Sequence, residues 1–235
     1  MRQVVLDTET TGLDVSQGNR IIEIGAVEIV DRRLTDRHFH QYLQPDREIE
    51  RGAEEVHGIT AVFLQDKPRF PDIAEEFLAF IRGAELIIHN APFDVGFLDA
   101  ELNRLGPEWG RLEEHGTITD TLALAKKRHP GQKNNLDALC KRYNVDNSGR
   151  DLHGALLDAE ILAEVYLAMT GGQISLDLEV APMEKTTGWF GSAIADGKRP
   201  PLRVIRATPE EIAEHTARIR AIGEASGGKS VSGVW

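Results

Sequence analysis

Apolar residues in the first 45 positions follow the patterns of β-strands. Residues 4–6 open a first strand, residues 21–30 form a second one rich in β-branched side chains, and residues 38–43 a weaker third. The connections between them are short and polar, which favours antiparallel pairing of neighbours. The N-terminal part is therefore predicted to be a three-stranded antiparallel sheet.

Beyond residue 70 the apolar spacing changes to the helical period. One helical face is formed by Ile73, Phe77, Phe80 and Ile81. Gly83 is predicted to end this helix, and residues 86–88 form a short buried strand. Asn90 is predicted to cap a following helix, with Pro92 in its first turn. Further helical patterns cover about residues 92–105, 134–142 and 154–169. Strands followed by alternating helix and strand predict an α/β fold: a mixed sheet flanked by helices.

A Gly-Gly pair at residues 171–172 marks a domain boundary. Residues 173–200 lack periodicity and are expected to form a flexible linker. Residues 202–205 have the pattern of a short strand. Thr208, followed by a proline and two acids, is typical of a helix N-cap, and the helix is expected over about residues 209–222. The Gly/Ser-rich end beyond it is expected to fray.

Composition narrows the functional classes. The 235 residues contain 38 acids and 27 bases, for a net charge of −11. The excess lies in residues 1–170, which argues against a nucleic-acid binder that works through a basic surface but not against acids that hold metal ions. One cysteine, Cys140, excludes a disulfide framework and a thiolate-rich zinc site. We find no membrane span or signal peptide and expect a cytoplasmic protein.

Asp7 and Glu9 lie two residues apart on the first strand, so their side chains share one face about 7 Å apart along it. Two such acids repel each other unless a cation lies between them, and hard oxygen ligands suit Mg²⁺ or Mn²⁺. A solvated pair at a sheet edge is the alternative. Asp158 lies opposite the polar stripe of its helix and therefore faces inward. Because residues 151–169 contain no Lys or Arg, a metal is favoured over an ion pair, although a helix cap is an alternative.

Two more residues are candidates in the same chemistry. Asp94 follows a buried strand, in the first turn of a helix, where α/β proteins often place sites. The helix dipole alone also favours an acid there. His153 precedes Asp158 by five residues and would not share its face on one helix, so His153 must belong to the segment entering the helix. A neutral imidazole there is able to accept a proton from water. The alternative is an ordinary loop histidine.

Together these segments resemble the DEDDh family of 3′→5′ exonucleases, within the ribonuclease H-like superfamily. The matching segments are Asp7-Thr8-Glu9-Thr10-Thr11-Gly12-Leu13, Asn90-Ala91-Pro92-Phe93-Asp94 and His153-Gly154-Ala155-Leu156-Leu157-Asp158. Within that family, residues 21–27, 56–59 and 152–172 resemble the proofreading subunits of bacterial replicative DNA polymerases. The resemblance covers residues 1–172 well and the tail more weakly. It implies an exonuclease domain at 1–172, a linker at 173–200 and a polymerase-binding segment at 201–235.

The resemblance also implies roles for individual residues. Asp7 would bridge two divalent cations, Glu9 and Asp158 would complete the ion that activates water, and Asp94 would support the second ion through water. His153 would be the general base. The substrate-binding residues would be Asp7, Thr8, Glu9, Thr10, His57, Phe93 and Asp158. Packing is an alternative role for Phe93. The loop at residues 50–55 departs from the family pattern, so only His57 is carried over from this region.

The start of the tail resembles a bacterial sliding-clamp motif. Residues 173–178 place apolar residues three and five positions after a glutamine; the matching residues are Gln173, Leu176 and Leu178. An extended peptide of this kind is able to seat alternate side chains in pockets. The alternative is the first part of a plain linker. For the whole chain, the alternatives to DNA proofreading are an RNA-trimming exonuclease and a non-catalytic adaptor between polymerase and clamp.

Overall fold

The computed structural model describes residues 2–149, 152–171 and 207–225. The linker at 173–200, the motif at 173–178 and the short strand at 202–205 all fall outside the described residues. The described chain belongs to two units, one within residues 1–176 and the other within 177–235. The domain boundaries predicted from the sequence stay predictions.

A five-stranded mixed sheet forms the centre of the first unit. Its strands are β1 (Arg2–Thr10), β2 (Ile21–Val30), β3 (Arg33–Tyr42), β4 (Glu85–Ile88) and β5 (Thr117–Asp120). Their order across the sheet is β3-β2-β1-β4-β5. The first three strands pair antiparallel, whereas β4 and β5 run parallel to β1. This confirms the predicted sheet class, namely antiparallel strands first and parallel strands afterwards.

Two strand predictions need correction. The third strand begins at Arg33 rather than residue 38, because Asp31 and Arg32 take left-handed φ values of 48° and 62° and close a tight hairpin on β2. The first half of this edge strand is mostly exposed and has one apolar residue, Leu34, so it carries little apolar signal. The fifth strand was missed in the sequence because its four residues include one apolar side chain, Ile118.

Besides two short 3-10 helices at Val15–Gln17 and Pro107–Trp109, nine α-helices occur in the described part of the chain. They are α1 (Arg51–His57), α2 (Ala61–Leu64), α3 (Phe70–Ile81), α4 (Pro92–Leu105), α5 (Leu112–His115), α6 (Thr121–Arg128), α7 (Leu136–Tyr143), α8 (Ala155–Thr170) and α9 (Pro209–Ala225). The prediction of a loop at residues 50–55 is wrong. That segment forms most of α1, an exposed helix without an apolar stripe, which ends at Gly58 in the left-handed conformation.

The predicted helix cap at Asn90 is also wrong. The N-cap of α4 is Ala91, which contributes no side-chain hydrogen bond. Asn90 instead takes a left-handed φ of 64° and donates its backbone N–H to Asp120 Oδ1 at 3.1 Å. Asparagine tolerates this conformation better than most residues. Asn90 therefore turns the chain from β4 into α4 and ties that turn to the end of β5.

The core lies on both faces of the sheet. One face packs against α3 and α4, with Phe77, Leu98 and Leu102 fully or almost fully buried. The other face packs against α8, where Val5 and Val27 meet the helix. Because α8 is apolar nearly all round, it is buried along most of its length. The sheet thus holds the first turns of α4 and α8 near the carboxyl ends of β1 and β4.

Helix α9, in the second unit, begins as predicted. The Thr208 hydroxyl accepts a hydrogen bond from the Glu211 N–H at 3.3 Å, and Glu211 Oε2 accepts one from the Thr208 N–H at 2.8 Å. This reciprocal pair is a capping box. The helix continues to Ala225, three residues beyond the predicted end. In the described residues, we find no helix whose length and hydrophobicity would suffice to cross a bilayer.

A buried ion pair attaches the start of β2 to α4. Arg20 donates two hydrogen bonds to the Glu101 carboxylate, at 2.5 and 2.6 Å, and the Glu101 side chain is 3% exposed. Removing one partner leaves the other charge buried. We expect Glu101→Ala to lower the free energy of unfolding by about 3 kcal/mol, measured by urea denaturation.

The double variant Arg20→Met, Glu101→Leu is the matched control for this prediction. It replaces both charges by apolar groups of similar size, so most of the lost stability should return. A loss below about 1 kcal/mol in Glu101→Ala would show that the pair does not hold β2 against α4.

Candidate active site

The four acids and the histidine predicted from the sequence all line one cavity of about 270 Å³ at the carboxyl ends of β1 and β4. They come from three separate parts of the chain, and they are Asp7, Glu9, Asp94, His153 and Asp158. The sequence motifs, up to 151 positions apart in the numbering, are thus brought together by the fold.

Asp7 and Glu9 extend from the last part of β1. They lie directly opposite Gly25 and Glu23 of β2 in the antiparallel register. Alternation along the strand gives them the face on which Val5 packs against α8. Both acids are only partly buried, so their carboxylates reach the cavity.

Asp158 lies in the first turn of α8 and is 3% exposed, so the predicted inward orientation is observed. His153 lies outside the helix, before its N-cap Gly154. Its Nδ1 is 3.6 Å from Asp158 Oδ2, and its backbone N–H donates to the Val56 carbonyl at 3.2 Å. One ligand atom each from Glu9, His153 and Asp158 lie within 4.8 Å of one another.

Asp94 is as deeply buried as Asp158. It is 3% exposed, and Thr8 Oγ1 donates a hydrogen bond to its Oδ1 at 2.7 Å. The pKa of Asp94 is raised to about 7, mainly by burial and to a small extent by the nearby Asp120 charge, although the Thr8 hydroxyl opposes this shift. The protein therefore keeps a carboxyl group where the ionised form is unfavourable without a cation.

These donors fit divalent cations. Carboxylate oxygens are the ligands that Mg²⁺ and Mn²⁺ prefer, and here they converge on one cavity. A bound cation would also offset the cost of ionising Asp94, which burial imposes. The donor set contains no thiolate, because Cys140 is buried in the core beside α8. The residues present therefore suit a hard divalent cation.

A second pocket of about 260 Å³ adjoins the first. The two share Thr8, Glu9 and Phe93, and the second pocket also contains Thr10 and His57. Phe93 contacts Phe97, with ring centroids 4.9 Å apart, so it both packs and lines the pockets. The structure thus brings together the residues that the sequence suggested for holding a nucleotide.

The geometry of His57 defines its tautomer. Its Nδ1 accepts a hydrogen bond from the Ile59 N–H at 2.9 Å, which places the proton of the neutral ring on Nε2. Burial lowers the pKa of His57, so the neutral form is favoured. The Thr10 backbone forms a weaker hydrogen bond with the ring, which partly opposes this shift, and Nε2 makes no close hydrogen bond in the described part of the chain. His57 therefore presents its ring beside Thr10, on the wall of the second pocket.

Three polar residues of the first cavity were missed in the sequence: His89, Asn135 and Asp137. The ring of His89 is hydrogen-bonded through Nδ1 to Thr121 Oγ1 at 2.9 Å, and burial lowers its pKa. His89 follows β4 directly, so its position at a strand-to-helix switch was the available signal. Asn135 caps α7, and nothing in the sequence placed that helix beside the site.

Gly25 permits the close approach of β2 to α8. A Cβ at this position would lie 2.2 Å from the backbone of Ala155 and Leu156, at the start of the helix. Gly25 also pairs with Asp7 in the sheet. We therefore expect Gly25→Ala to push the first turn of α8, with Asp158, away from Asp7. A displacement near 1 Å should lower the rate of a reaction catalysed at this cavity about 10²-fold.

Gly96→Ala is the matched control for Gly25→Ala. A Cβ at Gly96 meets no atom within 4 Å, and this glycine lies inside α4. We expect this variant to keep full activity and to gain about 0.5–1 kcal/mol in unfolding free energy. Equal activities for both variants, in a steady-state assay of that reaction, would refute the positioning role of Gly25.

The sequence comparisons with known proteins agree with one another on the family of this chain. The sequence model of the RNase T exonuclease family matches residues 4–166. The DNA polymerase III subunit epsilon of Escherichia coli K12 is 52% identical over 233 residues, covering 96% of this chain and 95% of the relative. The subunit of the same name from Salmonella typhimurium is 50% identical with the same coverage.

Solved structures agree with the sequence relatives. Exonuclease X in complex with 5′ overhanging duplex DNA matches with a TM-score of 0.55 and 28% identity, over 72% of this chain and 91% of that one. The nuclease domain of 3′hExo, a DEDDh family member bound to rAMP, has a TM-score of 0.62 over 72% and 90% of the two chains. At 17% identity the latter likeness concerns the fold alone. By its sequence and its fold, this chain belongs to the RNase T family of exonucleases, in agreement with its DEDDh motifs.

Proposed function

We propose that this protein is the proofreading 3′→5′ exonuclease of a bacterial replicative DNA polymerase, which hydrolyses mispaired nucleotides from the 3′ end of DNA. The observation that carries the proposal is the convergence of Asp7, Glu9, Asp94, Asp158 and His153 on one cavity. The identity to DNA polymerase III subunit epsilon along almost the whole chain supports the biological setting. The site of action would be the cytoplasm.

Two divalent cations, Mg²⁺ or Mn²⁺, would be held by the four carboxylates. Asp7 would contact both, Glu9 and Asp158 would complete the first, and Asp94 would support the second through water. When bound, such cations stabilise charge on the phosphate and lower the pKa of water. The close grouping of Glu9 and Asp158, together with burial of Asp94, supports this assignment.

His153 would act as the general base. Its side chain is 46% exposed, which leaves it open to the cavity and to solvent. It lies at the rim rather than in the helix, and the hydrogen bond of its N–H to the Val56 carbonyl restrains its backbone. A proton taken from the attacking water would thus reside on an imidazole able to release it to solvent.

The terminal nucleotide would occupy the second pocket. His57 Nε2–H would donate to an oxygen of the nucleotide, and backbone groups near Thr8 and Thr10 would hold it from β1. Phe93, which lines both pockets, would contact its base. The Thr8 side chain donates to Asp94, so it would orient that carboxylate as well.

The polymerase would bind the C-terminal segment, residues 201–235. Helix α9 has three exposed isoleucines, Ile212, Ile219 and Ile222, each about half exposed. At 100° per residue they fall within about 80° of one another around the helix. A helix of this kind gains most of its stability from packing against a partner. Residues 173–178, with Gln173, Leu176 and Leu178, would contact the sliding clamp as an extended peptide.

This assignment predicts that Ile212→Glu, Ile219→Glu abolishes association with the polymerase catalytic subunit and leaves nuclease activity intact. The substitutions place two charges on the apolar stripe. The matched control, Ala217→Glu, Ala221→Glu, adds the same charges on the opposite face of α9 and should still co-elute in size-exclusion chromatography. If both variants co-elute, the polymerase binds another part of the chain.

The substrate is tested with three labelled strands of one sequence: a primer with a mispaired 3′ end, the matched primer, and an RNA copy. We expect faster nucleotide release from the mispaired DNA than from the matched duplex, and much slower release from RNA. Faster release from RNA would instead support an RNA-trimming exonuclease. No release from any strand would favour a non-catalytic adaptor.

A further inference from the structure

A basic segment lies beside the active site of this acidic protein. Residues 121–142 contain six basic side chains and one acid, whereas the whole chain has a net charge of −11. The basic residues are Lys126, Lys127, Arg128, Lys133, Lys141 and Arg142. A cluster of positive charge in a chain whose net charge is negative favours contact with an anionic partner.

The basic side chains of this segment are available to a partner. Lys126, Lys127, Arg128, Lys133 and Lys141 are exposed, and none forms an ion pair with another residue in the described ranges. In contrast, Arg142 is held by the Asn134 side chain at 3.1 Å and the Lys133 carbonyl at 2.8 Å. Arg142 therefore shapes the connection between α6 and α7.

The segment adjoins the first cavity and contributes no residue to the second pocket, which contains His57. Helix α6 starts at Thr121, whose hydroxyl is bonded to the cavity residue His89. The positive charge of Lys126 contributes to the lowered pKa of His89, so the two side chains lie near each other. Asn135 and Asp137, at the start of α7, line the same cavity. A strand whose last nucleotide occupies the His57 pocket would therefore leave the cavity beside α6 and α7.

We propose that the basic segment binds the phosphates of the DNA strand on the 5′ side of the scissile bond. This inference rests on the proposed function and adds the path of the strand. Phosphate contacts position a strand without reading its sequence, as a proofreading enzyme requires. They also offset the repulsion between DNA and the remaining, strongly acidic, surface.

The test uses the full-length triple variant Lys126→Gln, Lys127→Gln, Arg128→Gln and two substrates. One is a single-stranded DNA of 20 nucleotides, and the other is the p-nitrophenyl ester of thymidine 5′-monophosphate, which has no upstream phosphate. We expect the KM for the long strand to rise about tenfold, and the slope of log KM against log salt to fall by about 2. Hydrolysis of the ester should stay unchanged.

The matched control is Arg33→Gln, Arg82→Gln, Arg104→Gln, which removes the same charge from exposed positions elsewhere. Arg33 pairs with Val30 and the Arg82 carbonyl contacts Arg2, so both lie at the far end of the sheet. An equal rise in KM for both variants would overturn the proposal in favour of a general charge effect. An unchanged KM for the long strand in the triple variant Lys126→Gln, Lys127→Gln, Arg128→Gln would overturn the proposal outright. If the proposed function itself fails, the unmodified protein hydrolyses neither substrate.

Discussion

Asp7→Ala should reduce nucleotide release at least about 10³-fold without unfolding the protein. Asp7 is the carboxylate that would contact both cations, and loss of metal stabilisation of the phosphate costs several kcal/mol. Thermal stability in the absence of metal should not fall, because the substitution removes one of several like charges that line one cavity. The rate is measured with labelled single-stranded DNA and saturating Mg²⁺.

Thermal denaturation with and without Mg²⁺ provides the control for Asp7→Ala. Binding to the folded state should raise the melting temperature of the unmodified protein but not that of the variant. Near-normal nucleotide release by Asp7→Ala would contradict the two-metal assignment. A large drop in stability without metal would mean that Asp7 has a structural role instead.

His153→Ala should lower the rate of hydrolysis about 10²–10⁴-fold, the usual contribution of a positioned acid–base group. Cation affinity should change little, because the acids would hold the metal. The alternative is that His153 is a metal ligand, since His153, Glu9 and Asp158 each offer a ligand atom within 4.8 Å of the others. Measurement of Mn²⁺ affinity by calorimetry separates the two roles.

Asp158→Ala is the comparison for His153→Ala. It removes a carboxylate that would hold the first cation, so both affinity and rate should fall. If His153→Ala weakens Mn²⁺ binding as much as Asp158→Ala does, His153 is a ligand rather than a base. If it changes neither affinity nor rate, His153 is an ordinary loop histidine.

The sequence predicted those parts of the structure that have periodic apolar patterns. Strand β2 begins and ends where predicted because its buried residues are nearly continuous. Helix α4 begins where predicted because Pro92 lies in its first turn. Helix α1 was missed because it is short, exposed and without an apolar stripe. The conformation of Asn90 was missed because it depends on a contact with β5, which local sequence does not reveal.

The residues of the candidate site also fall into two groups, those that the sequence predicts and those that it does not. Acids near strand ends and in first helical turns are visible in sequence because spacing determines their faces, as Asp158 illustrates. The neighbours that come from remote elements are not visible. His89 and Asn135 join the cavity only because α6 and α7 fold against it, and the role of Gly25 depends on how closely α8 approaches the sheet. These are consequences of tertiary packing rather than of local pattern.

The most direct test of the central claim is the fate of a single-stranded DNA labelled at its 5′ end and incubated with this protein. With Mg²⁺, the account predicts a ladder of labelled products that shorten stepwise from the 3′ end, and no shortening once the metal is removed by a chelator. Immediate release of a labelled mononucleotide, or an unchanged ladder in the presence of chelator, would contradict it.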